Sequence, residues 1–427
     1  MRIYLDTVGC RLNQSEIETY ARQFRAAGHC LVPTPEQADL VVINTCTVTS
    51  EAASDSRGKI RQAQRAGAPR IILTGCWATL EPGTAAVMPG VERIIHNAAK
   101  DTLVSEILEI PLKELKILSP DRIPIPGKRS RTRAFIKVQD GCDNYCTFCI
   151  TRVARGPGRS RSLAEIITDI QAALLGGVQE VVLTGVHMGS WGADFYPNLH
   201  LSHLMKAILK ETDIPRLHLS SVEPWDLEDD FFSLWESSNF DHRLCRHLHL
   251  PLQSGCKDTL RRMARKTTPA KYAALVNMAR AAIPEVAITT DIITGFPGED
   301  EVEFMESLAF VREIGFAGGH VFTYSARPGT TAARLPGQVP HPIRKERNAQ
   351  MRSVFAEANL AYRKRFIGCT RPVLWESARL AGPQVWELSG LSDNSVRLSA
   401  SGPSNLWNQI TPVRFVRLTE EGVWGEI

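Results

Sequence analysis

The chain has 427 residues, longer than one core ordinarily supports, so about two to three domains are expected. With 43% hydrophobic and 22% charged residues, no run near the roughly eighteen apolar residues of a membrane helix, and no apolar signal core in Met1-Arg2-Ile3-Tyr4-Leu5-Asp6, it reads as a cytoplasmic globular protein without a membrane partner. Ten cysteines are too few and too scattered for a secreted disulfide scaffold, and a net charge of +4 permits a nucleic-acid partner without demanding one.

The first hundred residues repeat one pattern three times: an apolar strand-like run, a cysteine, then a helix-like segment. Arg2 to Gly9 leads to Cys10, Asp39 to Thr45 leads to Cys46, and Arg70 to Gly75 leads to Cys76. β-Branched runs alternating with helices predict a parallel sheet. Ile17, Tyr20, Ala21, Phe24 and Ala27 recur at helical spacing, with Ser15 as a plausible N-cap and Gly28 as a plausible stop; Val91 to Ile95 reads as a fourth strand. Ligands gather at the carboxyl ends of such sheets. The three cysteines should therefore meet there, either as a three-thiolate metal site or as small hydrophobic residues at tight turns.

Residues 113–132 read as a linker. Pro111, Pro120, Pro124 and Pro126 interrupt any helix, and Lys128, Arg129, Arg131 and Arg133 form a basic run, a solvated connector or a contact to a phosphate backbone. From there strands and helices alternate as in a β/α barrel. The candidate strands are 134–139, 180–186, 216–222, 247–252, 287–293 and 320–324, and Ile166, Ile167, Ile170, Ala173 and Leu174 form one apolar face of a helix over 163–175. Six strands are fewer than the eight of a closed barrel, so a partial barrel is expected, with apolar strand bodies and small or polar residues at the carboxyl rim.

Directly after the first barrel strand comes Cys142-Asp-Asn-Tyr-Cys146-Thr-Phe-Cys149. Three thiolates at this spacing can hold an iron-sulfur cluster while leaving one iron open for chemistry, whereas zinc normally requires a fourth protein ligand. Gly185, Gln253 and the Gly295-Phe296-Pro297-Gly298-Glu299 turn fall on the same rim, where a cofactor pocket is expected. Cys30, Cys245, Cys256 and Cys369 are isolated and read as ordinary small hydrophobes. The helix over about 342–366 carries Arg344, Lys345, Arg347, Arg352, Arg363, Lys364 and Arg365, a solvated basic face or a nucleic-acid surface. After Gly368, short alternating runs at 372–376, 385–388, 395–398 and 413–418 predict a small β-barrel, whose Trp375, Trp386 and Trp407 either stack on bases or fill the core.

The Cys-x3-Cys-x2-Cys loop is similar to the signature of radical S-adenosylmethionine (radical SAM) enzymes. With Gly9-Cys10-Arg11-Leu12-Asn13-Gln14, Asn44-Thr45-Cys46-Thr47-Val48-Thr49, Thr74-Gly75-Cys76, His249-Leu250-Pro251-Leu252-Gln253-Ser254-Gly255 and Tyr324-Ser325-Ala326-Arg327-Pro328-Gly329-Thr330, the chain resembles the radical SAM methylthiotransferases over nearly its full length. The resemblance implies an α/β fold in three parts: a Rossmann-like domain over 1–112, a partial (β/α)6 radical SAM barrel over 133–366, and a TRAM-like, RNA-binding β-barrel over 367–427. It implies two 4Fe-4S clusters, one on Cys142, Cys146 and Cys149 that binds and cleaves S-adenosylmethionine, and an auxiliary one on Cys10, Cys46 and Cys76 that holds the sulfur to be transferred. Gly295, Phe296 and Gly298 would line the adenine end of the pocket, with Gly185 nearby and Gln253 and Asp291 as polar contacts. The stretches at 44–49 and Ser221-Val222-Glu223-Pro224-Trp225-Asp226 most resemble the branch acting on threonylcarbamoyl-adenosine in the tRNA anticodon stem-loop, which needs an external electron donor. Branches acting on isopentenyl-adenosine or a ribosomal protein are less similar. A cobalamin-dependent radical SAM methyltransferase lacks a purpose for the strand-end cysteines, and its Asp-x-His-x-x-Gly motif is missing before residue 111. A non-catalytic RNA-binding iron-sulfur protein would need clusters with complete coordination.

Overall fold

A computed structural model describes residues 1–117, 123–127, 132–227, 230–236 and 241–427. The chain divides into two compact units, the first of residues 1–144, 149–177 and 184–186, the second of residues 145–148, 178–183 and 187–427.

In the first unit, β1 (Arg2–Thr7), β2 (Cys30–Leu31), β3 (Leu40–Thr45), β4 (Ile71–Gly75) and β5 (Val91–Ile94) form a parallel sheet in the order β2-β1-β3-β4-β5. Every residue of β3 and β4 is buried, as expected of strands covered on both faces. The helix Arg11–Ala26 sets Ile17, Tyr20, Ala21 and Phe24 against Ile3, Leu5, Leu40 and Val42. Helix Ser50–Arg65 sets Ala53, Ile60 and Ala63 against Val41, Ile43, Ile71 and Leu73 on the other face.

Two local expectations are corrected here. The first helix begins at Arg11, with Cys10 at the cap position, and Ser15 lies inside it with its hydroxyl accepting the Lys137 amide at 3.0 Å. The turn closes early because the Asn13 side-chain amide donates to the carbonyls of Val8 and Thr45 at 2.8 and 3.3 Å. In the segment read as a linker, Leu112–Ile117 is helical and Leu115 enters the core, because a proline just before the first turn costs no helical hydrogen bond. Pro120, Lys128, Arg129 and Arg131 lie outside the described residues. The unit also holds β6 (Arg133–Lys137), the short antiparallel pair β7 (Gln139–Asp140) and β8 (Arg159–Ser160), and the expected helix Leu163–Leu175, capped by Ser162.

In the second unit, β9 (Glu180–Thr184, its last residue assigned to the first unit) pairs in parallel with β10 (Arg216–Leu219), and β11 (His247–His249), β12 (Ala287–Thr294) and β13 (Gly318–Thr323) form a parallel set. The Cys245 amide donates to the Leu217 carbonyl at 3.0 Å, joining β10 to the β11 side. The strand bodies are not uniformly apolar: Glu180, His218, His247, Thr289 and His249 are joined by side-chain hydrogen bonds across four strands, and Asp291 lies 3.2 Å from His249. In the helix His341–Lys364, Arg347 is buried against Glu299 and Arg363 caps the carbonyls of Thr419 and Gly422, so the basic residues there are partly structural.

Strands β14 (Thr370–Gly382), β15 (Val385–Ser392), β16 (Arg397–Gly402), β17 (Ile410–Leu418) and β18 (Val423–Glu426) close into a barrel in the order β14-β15-β16-β18-β17. The fifth strand closes it by pairing with β16 and β17, a pairing its four residues do not signal in sequence. Trp375 fills the core and donates from Nε1 to Thr411 at 2.8 Å; Trp386 packs at its edge, and Trp407 is 38% exposed.

Candidate cluster and cofactor sites

The auxiliary triad belongs wholly to the first unit. Cys10, Cys46 and Cys76 follow β1, β3 and β4, and adjacent strands in parallel register bring their carboxyl ends side by side. Gly9 and Gly75 make the two sharpest exits, with φ of 105° and 94°. A Cβ at Gly9 would stand 2.6 Å from Sγ of Cys46, so only glycine admits that thiol. Burial pushes the Cys46 thiol up to about 11, and the nearness of Cys10 and Cys76 pushes it further the same way. Cys10 is exposed at the surface, yet the protein packed around it raises its thiol as well. Left alone, Cys10 and Cys46 resist ionisation, and a bound metal reverses that preference by stabilising thiolates.

Behind the thiols lies a buried charge network. Glu16 accepts from Lys100 at 2.8 Å and from Arg155 at 3.1 Å; Asp140 accepts from Arg155 at 2.8 Å; Lys137 stands 3.7 Å from Asp140 and 3.9 Å from Glu16. Burial alone would raise the Glu16 carboxyl, but Lys100, Arg155 and Lys137 outweigh it and hold it at about 2. Asp140 is lowered for the same reason, against its own burial, chiefly by Arg155. Three buried cations thus face two buried carboxylates, while the third carboxylate on Lys137, Asp101, is largely in solvent. The guanidinium of Arg155 feels the charge of Cys76 and Cys10, and its Nη2 donates to Asn13 at 2.8 Å. An oxidised 4Fe-4S core on three thiolates is anionic, so the donor set and the surplus of cations both fit such a cluster. Asn97, 3.7 Å from Sγ of Cys76, supplies an amide donor toward sulfur.

In the loop after β6 and β7, Cys142 and Cys149 belong to the first unit and Cys146 to the second. The Cys142 amide donates to Gly156 at 3.0 Å, and Sγ of Cys142 accepts from the Asn144 amide at 3.4 Å. Burial raises the Cys149 thiol, and the charge of Cys142 adds to that. Thr147 anchors the loop in the second unit through its amide to Met263 at 3.1 Å and its hydroxyl to Arg262 at 2.9 Å. The buried Arg265 points Nη1 at Sγ of Cys146 at 3.8 Å, pairs with both oxygens of Glu223 at 3.0 and 2.6 Å, and lies 4.5 Å over Trp225.

The residues expected around the cofactor separate into two groups. Gln253, with φ of 77°, is bonded to β12 through its amide to Asp291 at 2.8 Å and its carbonyl from Ile293 at 2.9 Å. Asp291 lies 3.2 Å from Nε2 of His249 through Oδ2, while its Oδ1 is buried without a hydrogen-bond partner among the described residues. Gly295, Phe296 and Gly298 follow them at the end of β12 and pack against protein, with Gly295 under Arg344. The Gly295 amide donates to Glu299 at 2.8 Å, Phe296 is wholly buried among Met263, Tyr324 and Ala332, and Gly298 packs under Arg262. Gly185, in the first unit, lies against Gln139, from which an added Cβ would be 3.2 Å.

Sequence reading missed Glu16, Arg155, Asp140, Arg265 and the interior histidines. A glutamate on the apolar face of the first helix and the alternation His247-x-His249 and Thr289-x-Asp291 were the available signals.

Among known families, the radical SAM superfamily matches residues 136–311, and a family described as uncharacterized protein family UPF0004 matches residues 2–96. A threonylcarbamoyladenosine tRNA methylthiotransferase, MtaB, of Thermotoga maritima is 36% identical over 428 residues, covering 99% of this chain and 96% of the relative. A tRNA-2-methylthio-N(6)-dimethylallyladenosine synthase of Anoxybacillus flavithermus is 30% identical over 441 residues, covering 99% and 81%. Among solved structures, the radical SAM methyltransferase TsrM of Kitasatospora setae aligns with a TM-score of 0.57 at 13% identity, covering 78% of this chain and 77% of that one, a likeness of fold. No described helix is long and apolar enough to cross a membrane.

Proposed function

Because the chain belongs to the radical SAM methylthiotransferase family, we propose that it adds a methylthio group to carbon 2 of N6-threonylcarbamoyladenosine in the anticodon stem-loop of a cytoplasmic tRNA, as the MtaB type does. In this reading Cys142, Cys146 and Cys149 hold one 4Fe-4S cluster, Cys10, Cys46 and Cys76 hold the second, and an external donor supplies electrons. The observation that carries it is the convergence of three strand-end thiols beside a buried guanidinium with cations in excess. A cobalamin-dependent methyltransferase of similar fold has no use for that triad.

When bound, the clusters and S-adenosylmethionine supply the one-electron chemistry that takes a hydrogen atom from an unreactive aromatic C–H, and the sulfur that replaces it. The chain's residues prepare the place. Arg155 balances negative charge at the auxiliary site, and Asn97 orients Cys76. Arg265 sets a positive charge beside Cys146. Phe148, Phe296, Tyr324, Met263 and Ala332 form an apolar cluster that keeps water from the wall of the pocket. Asp291, a quarter exposed, is in this reading a polar contact to the cofactor.

The dimethylallyladenosine branch is the second reading, supported by the 30% identity over 99% of the chain. Mass spectrometry of tRNA nucleosides from cells lacking the gene separates the two: loss of methylthio-threonylcarbamoyladenosine is expected, and an unchanged level refutes the first. Replacing Cys10, Cys46 and Cys76 by Ala should leave S-adenosylmethionine cleavage intact, stop methylthiolation, and remove about four irons per chain. Replacing Cys142, Cys146 and Cys149 should abolish cleavage as well.

A further inference from the structure

Toward the amino ends of three neighbouring barrel strands, three buried side chains carry a donor set unlike that of either cysteine triad. Glu180 opens β9, His218 lies on β10, and Cys245 stands just before β11. Parallel pairing of Arg216 with Glu180 and of Leu217 with Leu244 sets these segments side by side, and the Cys245 amide donates to the Leu217 carbonyl at 3.0 Å. A carboxylate oxygen, an imidazole nitrogen and the Cys245 sulfur then lie within 4.8 Å of one another. All three residues are buried, and all belong to the second unit.

Magnesium and calcium are held by oxygens, whereas one sulfur, one nitrogen and one oxygen suit zinc, which binds them at about 2.0 to 2.3 Å. Three protein ligands leave the fourth position to water. The charge of the ion is matched by the Glu180 carboxylate and by the Cys245 thiolate, whose proton leaves to solvent on binding. Arg216, with Nη1 3.9 Å from Oε2 of Glu180, draws that oxygen to itself and leaves Oε1 to the ion. Arg216 also lines a cavity of about 530 Å³ with Gln179, Asp213, Arg243 and Pro372, which gives the ion a way in.

The groups behind the ligands are in place too. His218 Nε2 meets His247 Nδ1 at 2.8 Å, His247 Nε2 meets Thr289 Oγ1 at 2.9 Å, and the same hydroxyl meets His249 Nδ1 at 2.9 Å. A histidine on a metal gives its other ring proton to such a partner. Four protons, one on each neutral ring and one on the threonine, satisfy this row in either of two directions. Without an ion, His218 donates from Nδ1 to Oε1 of Glu180 at 2.9 Å, and all three rings carry their proton on Nδ1. With an ion on Nδ1 of His218, all three carry it on Nε2. That second direction points the His249 proton toward Asp291, whose Oδ2 is 3.2 Å from Nε2, so the carboxylate at the far end of the row favours the direction that the ion imposes.

We propose that Glu180, His218 and Cys245 form a zinc site in the body of the barrel, using none of the six cluster cysteines and keeping a water in the fourth position.

The test uses the cluster-loaded enzyme, purified anaerobically, incubated with zinc sulfate and freed of loose ion by gel filtration. Elemental analysis should count about one zinc per chain beside the cluster iron, and X-ray absorption at the zinc edge should show a single sulfur at about 2.3 Å with nitrogen and oxygen at about 2.0 to 2.2 Å. Cys245→Ser and His218→Gln should each lose the zinc and keep the parent's iron, sulfide and S-adenosylmethionine cleavage. In 15N-histidine spectra, with the ring assigned by His218→Gln, zinc should move the His218 proton from Nδ1 to Nε2. No zinc retained by the parent, zinc retained by either variant, or a His218 proton that stays on Nδ1 in the zinc-loaded enzyme overturns the proposal. More than one sulfur around the ion overturns it as well, because the zinc then sits on the cluster cysteines. Should either variant fail to fold, the absorption and 15N spectra of the parent decide.

Discussion

Replacing Glu16 by Gln removes one charge from the network behind the auxiliary thiols and keeps the shape of the side chain. Glu16 accepts from Lys100 and from the Asn44 side-chain amide at 2.8 Å through Oε2, and from Arg155 at 3.1 Å through Oε1. A glutamine must turn its NH2 toward one of these donors, and it leaves the three buried cations with Asp140 and the solvent-exposed Asp101. The size of the effect follows from the carboxyl being held at about 2 instead of 4.5. At about 1.4 kcal/mol per unit, ionised Glu16 contributes about 3 kcal/mol, in line with the roughly 3–5 kcal/mol lost when one partner of a buried ion pair is removed. Because the folded value is depressed, this stabilisation is fully present above about pH 4.5 and is lost as pH falls through about 2. Denaturant unfolding of Glu16→Gln and the parent protein at pH 7 should therefore differ by about 3 kcal/mol, and the gap should be about 1 kcal/mol smaller at pH 3.5. Equal stabilities at pH 7, or a gap that widens on acidification, refute the account of the network.

Arg265→Gln should shift the potential of the radical SAM cluster downward, because a guanidinium 3.8 Å from Sγ of Cys146 stabilises the added electron. A tenfold change in the reduced-to-oxidised ratio is about 59 mV, resolvable in a redox titration followed by electron paramagnetic resonance, with Arg265→Lys intermediate. Gly9→Ala forces a side chain into a φ of 105° and onto Sγ of Cys46, so iron content should fall by about one cluster while S-adenosylmethionine cleavage continues. Trp375→Ala should destabilise the terminal barrel by about 3–5 kcal/mol in thermal unfolding. Trp407→Ala should leave stability unchanged and weaken tRNA binding, by about 1–3 kcal/mol in a titration if one base stacks there.

Local order was strongly written in the residues. The buried runs of β3 and β4, the helix Leu163–Leu175 and the sequence of barrel strands follow from periodicities that a single segment carries, and the Cys142 to Cys149 spacing is itself a ligand pattern. Even the meeting of Cys10, Cys46 and Cys76 was legible, because parallel strands in a doubly covered sheet present their carboxyl ends together. The helix start at Arg11 was not, since Asn13 reaches a carbonyl 32 residues away.

The charge network and the interior histidine row were decided by tertiary structure alone. Glu16 meets Arg155 across 139 residues, and His218 meets His247 across 29. In sequence Glu16 is one glutamate in a helix, and each histidine is one residue in a short strand. Their chemistry depends on which strand lies beside which and in what register, and on the exclusion of water once they are enclosed. By itself the sequence determined which strand ends and which loop carry the clustered cysteine chemistry. Only the folded arrangement decided which buried charges balance it, because ionic and hydrogen-bonding energies depend on distance and dielectric, and neither exists until the sheets have formed.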